Sequence, residues 1–391
     1  MKFDVVIVGG GIIGSAAAYF LARSGNAVSV AIIEPDPTYT RATTPQAAGG
    51  VRQLFSVKEN IEMSQMSLEF YKTFDRDMAL DSYQPAINFR EQGYLFTVTP
   101  EGEQTLRKNH VLQSSLGVGA ELLDVDTLKT RFPSIGRDDV ALACYSGNDG
   151  WIDPHAALQG FKKNAEHSGV SYLQARVTGL ESRGRQVVSA ELDNGEKVAG
   201  GTFINTTGPW ATEIATMLDA ELPVQPMCRV QHFWLCDEEL EPLPLVKDES
   251  GMFFRPEGGG FAGGCPSFDI EPGFVDDIHR GFFADYFDNV VWPLVATRAP
   301  KFESIKLQRS WGGHYAQNLF DGNMIIGKFS PQHDNIITAC GFSGHGIMHA
   351  PAVGRALSEL VLSRRYETLD LSALGIERVW NNQPLVETGI R

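Results

Sequence analysis

Apolar residues arrive in two distinct rhythms along this chain, and the first is set between Phe3 and Glu34. Val5 to Val8 is a β-branched run, apolar at every position, which suits a strand buried on both faces of a parallel sheet. It runs into Gly9, Gly11 and Gly14; Ser15 to Arg23 then reads as helix with Gly25 as its stop, and Val28 to Ile33 as a second strand ending at Glu34. Ser56 to Phe74 carries Ile61, Met63, Met66, Leu68, Phe70, Tyr71 and Phe74 at helical spacing and predicts an amphipathic helix. Asn88 to Thr99 reads as a strand, Pro100 to Ser115 as an exposed helix and Ala141 to Tyr145 as another strand. Asp153 and Pro154 supply a cap and a first-turn proline for a helix ending near Gly169. Val170 to Leu180, Gln186 to Leu192 and Glu196 to Phe203 follow as strands, the last two joined by the turn Asp193-Asn194-Gly195.

From Leu222 to about Glu303 the rhythm changes. Phe233, Trp234, Phe253, Phe254, Phe261, Phe268 and Phe274 crowd in, turns are frequent, and helical spacing returns only over Asp276 to Thr297. This predicts an antiparallel sheet in a second domain, with Gly258-Gly259-Gly260 and Gly263-Gly264 as hairpin turns. Asn335 to Ala339 returns to the first rhythm, followed by the glycine turn Gly341 to Gly346 and a helix to about Leu362. The fold class that results is α/β: a Rossmann-like dinucleotide-binding domain with a second, α+β substrate domain built on an antiparallel sheet. The expected division places 1–80, 145–215 and 305–391 in the first domain, and 81–144 and 216–304 in the second.

Composition narrows the classes. At 391 residues, 43% apolar and 21% charged, the chain can bury a large core. Its net charge of −15 disfavours nucleic acid and anionic membrane as partners. The five cysteines include no C-x-x-C pair, so neither a disulfide framework nor a metal site is expected, and a reducing cytoplasm is. On length alone Val5 to Ala22, which is uncharged, could span a membrane. The clustered glycines, and Asp4 beside a lone Lys2, argue against an integral membrane segment.

The chemistry sits in the turns. Gly9, Gly11 and Gly14 have the spacing G-x-G-x-x-G between a strand and a helix, with Glu34 20 residues after Gly14. In that context the glycines give a tight turn, backbone approach to a pyrophosphate and close helix packing, while the acid accepts from a ribose hydroxyl. NAD and FAD remain equally open at this point. Thr43, Thr44, Ala47, Ala48, Gly49 and Gly50 allow backbone to lie against a flat ring or a phosphate, and the turn after Phe203 (Asn205 to Trp210) has the form of a strand end bordering a cofactor. The helix after Gly344-His345-Gly346 could direct its positive end at an electron-rich group.

Taken together, VVIVGGGIIG with Glu34, QAAGGVR, GWIDP, INTTGPW, FFRPEGG, WGGHY to DGNMIIG and GFSGHG resemble the D-amino-acid-oxidase-like FAD-dependent oxidoreductases, the family of glycine oxidase and sarcosine oxidase. The resemblance implies FAD. Gly9, Gly11, Ile12, Ile13, Gly14, Glu34 and Pro35 would hold its adenosine diphosphate part, with Val177 at the adenine. Thr43, Thr44, Gln46, Ala48, Gly49, Gly50 and Val51 would pass beside the flavin ring, Thr206, Gly208, Trp210, Gly312 and Gly341 would border the cofactor, and Gly344, His345, Gly346 and Ile347 would reach the pyrimidine edge. Gln46 stands where some relatives carry a linking histidine, so the FAD is expected to be noncovalent. Met348 stands where sarcosine oxidase has its carboxylate-anchoring lysine, and Asp269 near its oxygen-activating one.

Candidate substrate anchors are then Arg52, Arg255 and Tyr315, with His345 at the reacting end and His314 as a proton acceptor. The implied activity is that of an amine or amino-acid dehydrogenase or oxidase, of the EC 1.4 or 1.5 type. It would oxidise the C–N bond of a small-molecule amino acid or secondary amine (N-substituted glycine or D-amino acid) to an imine by hydride transfer to flavin. The electron acceptor is left open among oxygen, a quinone and a carrier protein. A second reading is a flavin-containing assembly or binding protein for a respiratory complex with little turnover.

Overall fold

The uncharged run near the start folds as a strand, a turn and a helix. The structure, a computed structural model, describes residues 1–266, 271–275 and 280–390; Phe268, Asp269 and the start of the helix expected from Asp276 lie outside these. Among the described residues no helix is long and apolar enough to cross a membrane. In chain order the elements that build the site are β1 (Lys2–Val8), α1 (Ile12–Ala22), β2 (Val30–Ile33), α2 (Lys58–Asp77), β3 (Tyr94–Val98), β4 (Ala120–Leu123), β5 (Leu142–Ser146) and α3 (Pro154–His167). They continue with β6 (Ser171–Leu173), β7 (Val177–Arg183), β8 (Gln186–Leu192), β9 (Lys197–Asn205), β10 (Val224–Leu235), β11 (Leu245–Asp248), β12 (Phe253–Glu257) and β13 (Gly260–Gly264). The last are β14 (Lys306–Asn318), β15 (Ile325–Lys328), β16 (Ile336–Cys340) and α4 (Gly346–Ser363).

The first sheet runs β15-β16-β9-β1-β2-β6. Its β1 is parallel to both β2 and β9, and β16 is parallel to β9. Val5 and Ile7 pack with α1 and α4, whereas Val6 and Val8 pack on the other side with Phe203 and Ile214. That two-sided burial is why β1 has no polar alternation, and each fully buried aliphatic side chain contributes about 1.5–3 kcal/mol. Helices α1 and α4 approach so closely that a Cβ on Gly354 would lie 2.6 Å from the Ala16 Cβ.

The second sheet runs β14-β10-β13-β12-β11-β3-β5-β4 and is antiparallel except where β11 lies parallel to β3. Its strands alternate as a half-covered sheet should. Trp234, Phe254, Val246 and Leu95 face a core with Phe287, Val295 and Phe302. The opposite face looks toward the first sheet. Strand β14 pairs along its length with β10, so the stretch containing WGGHY belongs to this second sheet.

Three expectations change. Val170 to Leu180 is not one strand: β6 ends at Leu173, pairing with β2, and β7 starts at Val177 in an antiparallel hairpin with β8. Strand β3 is shorter than Asn88 to Thr99, because Gly93 at φ +86° turns the chain and Arg90 instead bridges to Trp151. Gly258 and Gly259 do form a hairpin turn, but Gly263 and Gly264 lie within β13. Close approach explains that glycine pair: a Cβ on Gly263 would sit 2.2 Å from the Phe253 carbonyl oxygen and 2.8 Å from the Trp234 ring.

Candidate active site

A cavity of about 1030 Å³ runs between the two sheets. At one end it begins at the turn after β1. Gly9 has φ +98°, and Gly14 fits beneath it because a Cβ there would lie 2.1 Å from the Gly9 carbonyl oxygen and 2.7 Å from Thr206 Oγ1. Thr206 Oγ1 donates to the Gly9 carbonyl at 2.8 Å, holding the turn to β9. Helix α1 has no side-chain cap and no acidic residue in its first turn, and Gly11 at its N-terminus has no atom within 4 Å of a would-be Cβ. An open, uncapped N-terminus on a cavity is a built anion site, so these residues fit a pyrophosphate. Glu34 accepts from Gly10 N at 2.8 Å and Asp36 N at 3.0 Å, and its carboxyl is pushed up by burial. Ala175 and Val177 line the cavity beside it.

The 43–50 segment crosses from one sheet to the other. Thr43 Oγ1 donates to the His314 carbonyl at 2.5 Å, and the Gln46 carbonyl accepts from Gln231 Nε2 at 2.6 Å and Trp311 Nε1 at 3.3 Å. Arg255 Nε donates to the Ala48 carbonyl at 2.9 Å, and Ile152 N to the Gly49 carbonyl at 2.9 Å. The segment is therefore pinned at four places while its small residues face the cavity.

At the far end Arg52 is 3% exposed. One Nη donates to the Leu54 carbonyl, the other lies 3.5 Å from His345 Nε2, and the guanidinium covers the Phe55 ring at 4.1 Å. Burial lowers its pKa, and it makes no ion pair among the described residues. Behind it Asp149 is raised to about 6, chiefly by burial, against the hydrogen bonds it accepts from Gln53 N and Nε2. His345 precedes α4, whose first turn holds Ile347; the Ile347 carbonyl accepts from Tyr71 at 2.7 Å. Tyr315 stands over Gly344, with the Arg229 guanidinium 4.7 Å from its ring centroid. Its hydroxyl is raised by burial, which Arg229 partly offsets.

Most residues expected at a site are brought together on this cavity: Gly9, Gly11, Ile12, Ile13, Glu34, Pro35, Thr43, Thr44, Gln46, Ala48, Gly49, Gly50, Val177, Thr206, Gly208, Trp210, Gly344, His345, Gly346 and Ile347, with Arg52 and Tyr315. Five do not line it. Gly14 packs beneath the turn, Val51 is fully buried, Gly312 is covered by Phe283, and Gly341 shapes the turn against Val224 and Asn318. Arg255 is the correction that matters. Its guanidinium serves Ala48, Pro256 and the Glu257 carboxylate, so it holds the 43–50 segment from behind and does not reach the cavity. His314 is also placed otherwise than as a proton acceptor: its Nε2 accepts from Val275 N at 2.9 Å.

Arg229, Lys247 and Tyr94 line the cavity and were not singled out in the sequence. Their signal is the period-two alternation of the second sheet, in which Met227, Arg229 and Gln231 share a face, as do Leu245 and Lys247. Val386, Glu387, Gly389 and Ile390 complete the wall. Glu387 accepts from Ser56 N at 2.6 Å and Val57 N at 3.2 Å, capping α2 from the far end of the chain.

With this geometry in view, the chain matches the family model described as FAD dependent oxidoreductase over residues 4–360. It is 36% identical to FAD-dependent oxidoreductase domain-containing protein 1 of Xenopus laevis, covering 100% of this chain and 85% of that protein. It is 26% identical to monomeric sarcosine oxidase of Bacillus sp. (strain B-0618), covering 99% of each. Among solved structures it is similar to L-proline dehydrogenase from P. horikoshii, with a TM-score of 0.81, 25% identity, and 98% and 99% of the two chains covered.

Proposed function

The chain belongs to the FAD-dependent oxidoreductase family, and from that premise we propose that it oxidises the C–N bond of a carboxylate-bearing amino acid or secondary amine to an imine. The single observation that supports this most is Arg52: a buried cation on the cavity wall, beside His345 and the start of α4, without a carboxylate partner among the described residues. A buried unpaired charge is costly unless a ligand supplies its counter-charge. A substrate carboxylate does so, and the fork of Arg52 then fixes the substrate's orientation by two parallel donors. Tyr315 and Arg229 approach from the opposite sheet and position the rest of the molecule.

Bound FAD supplies the two-electron acceptor for the hydrogen on the carbon next to nitrogen. Held by the Gly9–Gly14 turn, Glu34 and the 43–50 segment, FAD would take that hydrogen as hydride, while the substrate nitrogen would give its proton to solvent as the C=N bond formed and water would hydrolyse the imine. The protein's own contribution is orientation and dryness. Phe253, Leu245 and Met227 line the cavity with apolar surface, and the tail segment 386–390 closes one side. N-substituted glycines and D-amino acids are the substrate types proposed, and oxygen, a quinone and a carrier protein the acceptors.

Anaerobic mixing of the flavin-loaded protein with a broad panel of amino acids and N-alkyl amino acids is expected to bleach the flavin absorbance with at least one of them. If no member of the panel does so while free carboxylates still bind, the oxidation reading fails and a binding protein takes its place. Adding oxygen or a quinone to the bleached protein then identifies the acceptor by which one restores the colour.

A further inference from the structure

Lys247 lines the cavity, yet amine oxidation as derived above gives it no task. It stands half-buried on β11, with Phe96 of β3 and Phe253 of β12 as its cross-strand neighbours. The alternation of β11 puts Leu245 and Lys247 on the cavity face and turns Val246 into the aromatic core behind the sheet. The Arg52 guanidinium lies 5.1 Å from the centre of the Phe96 ring, so both cations are neighbours of one aromatic residue.

No acid answers this lysine. Lys247 makes neither a hydrogen bond nor an ion pair among the described residues. The acids of the surrounding elements are engaged: Asp248 accepts from Arg298 at 3.1 Å, Glu249 from Thr99 N at 2.7 Å, Asp149 from Gln53 Nε2 at 2.9 Å, and Glu387 from the start of α2. Cys265 donates its thiol to the Ser250 carbonyl at 3.4 Å, and burial pushes that thiol up to about 11. Tyr94 is likewise kept neutral by burial. Burial first, and Arg52 second, bring the Lys247 amine down to about 7, so much of it is uncharged near neutral pH and carries a free electron pair.

A desolvated lysine beside a second cation is the setting in which an amine attacks a carbonyl carbon. Its neighbour selects the carbonyl. Arg52, buried at the same corner and without an ion-pair partner among the described residues, offers its fork to a carboxylate. A carbonyl carbon bonded directly to that carboxylate is then presented to Lys247.

We propose that Lys247 is a nucleophile that forms a reversible imine with a 2-oxo acid whose carboxylate Arg52 holds. The Lys247 nitrogen bonds to the oxo carbon, the C=O electron pair moves onto oxygen, and that oxygen leaves as water with the two amine hydrogens, so that a C=N bond remains. No electrons are gained or lost, and water reverses the step. Only the source of the oxo acid rests on the amine-oxidation reading, in which hydrolysis of the product imine releases such a compound beside Lys247. The lysine then delays release of the carbonyl product and acts as a brake on turnover.

The test traps the adduct in the flavin-loaded protein. Glyoxylate is added with cyanoborohydride, which delivers hydride to the imine carbon while solvent protonates the nitrogen, and the marked lysines are located by peptide mass spectrometry. Lys247 is expected to be marked about tenfold or more faster than Lys58 and Lys108, which are exposed. Propanal, which has no carboxylate, should mark Lys247 about tenfold more slowly than glyoxylate, and Arg52→Met should remove that difference. Lys247→Arg keeps the charge without the nucleophile and should lose the mark while keeping its flavin. Marking of Lys247 no faster than that of Lys58, or equal marking by propanal and glyoxylate in the parent protein, overturns the proposal. If glyoxylate marks Lys247 but no amine of the panel bleaches the flavin, the oxidation reading fails and this one stands. If an amine bleaches it and Lys247 stays unmarked, the reverse holds.

Discussion

The two ends of the cavity are made of different material. At the turn after β1 the wall is mostly backbone: the Gly9 to Gly14 turn, the uncapped start of α1, and the small residues of 43–50. At the far end it is mostly side chains, with Tyr94, Arg229, Lys247 and Tyr315 standing on strands of the second sheet and Arg52 on the irregular segment that follows Val51. A backbone-walled site is dictated by sterics, and at Gly9 and Gly14 it leaves no room for an added atom. A site walled by side chains can change its ligand while the fold stays as it is, and that is where substrate choice is written.

The sharpest break between the two ends comes from Gly14→Val. Its Cβ would fall 2.1 Å from the Gly9 carbonyl, against backbone that cannot yield. Overpacking of this kind costs about 3 kcal/mol. Purified protein is expected to be scarce and colourless, judged by yield and by flavin absorbance per chain. Arg52→Met probes the opposite end. It should leave flavin content near one per chain and the melting temperature equal or higher, because a buried unpaired cation is removed. Carboxylate affinity should fall about 10–100-fold, the loss of a charge-assisted hydrogen bond. A colourless Arg52→Met protein would erase the distinction between the two ends.

The smallest effect is a pH dependence. Lys247 titrates near 7 in the folded chain against an ordinary value of 10.5, lowered by burial and by Arg52, with Asp248 and Cys265 opposing. Between those values the unfolded chain binds the extra proton. Stability contributed at this position therefore rises with pH across the window, and below about 7 the buried charge is a penalty. Lys247→Met should consequently melt above the parent by about 2–4 °C at pH 7, with the gap narrowing toward pH 10. A gap that widened with pH would place the sign, and the picture of an uncompensated cation, in error.

The same contrast decides how much could be read in advance. The first end was legible almost entirely in G-x-G-x-x-G with Glu34, and the Asp153-Pro154 helix start and, at the far end, the Gly341–Gly346 turn likewise follow from which residues can adopt a given backbone. The second end was not. Arg229 and Lys247 sit in strands whose alternation was visible but whose facing direction depended on which helices cover the other side. Arg255 illustrates the limit. A hairpin arginine beside an aromatic pair looked like a ligand, yet position alone could not distinguish facing the cavity from bracing the segment in front of it. Gly263-Gly264 failed for a related reason, since a glycine pair marks a close neighbour as readily as a turn.

The wall that closes last has a consequence for synthesis. Val8 and Gly9 precede Val386 to Ile390 by about 380 residues, and both groups line one cavity. Strand β1 itself lies between β2 and β9, so its neighbours arrive at very different times. An emerging chain thus carries the glycine turn well before the wall at 386–390 that completes its cavity has been made.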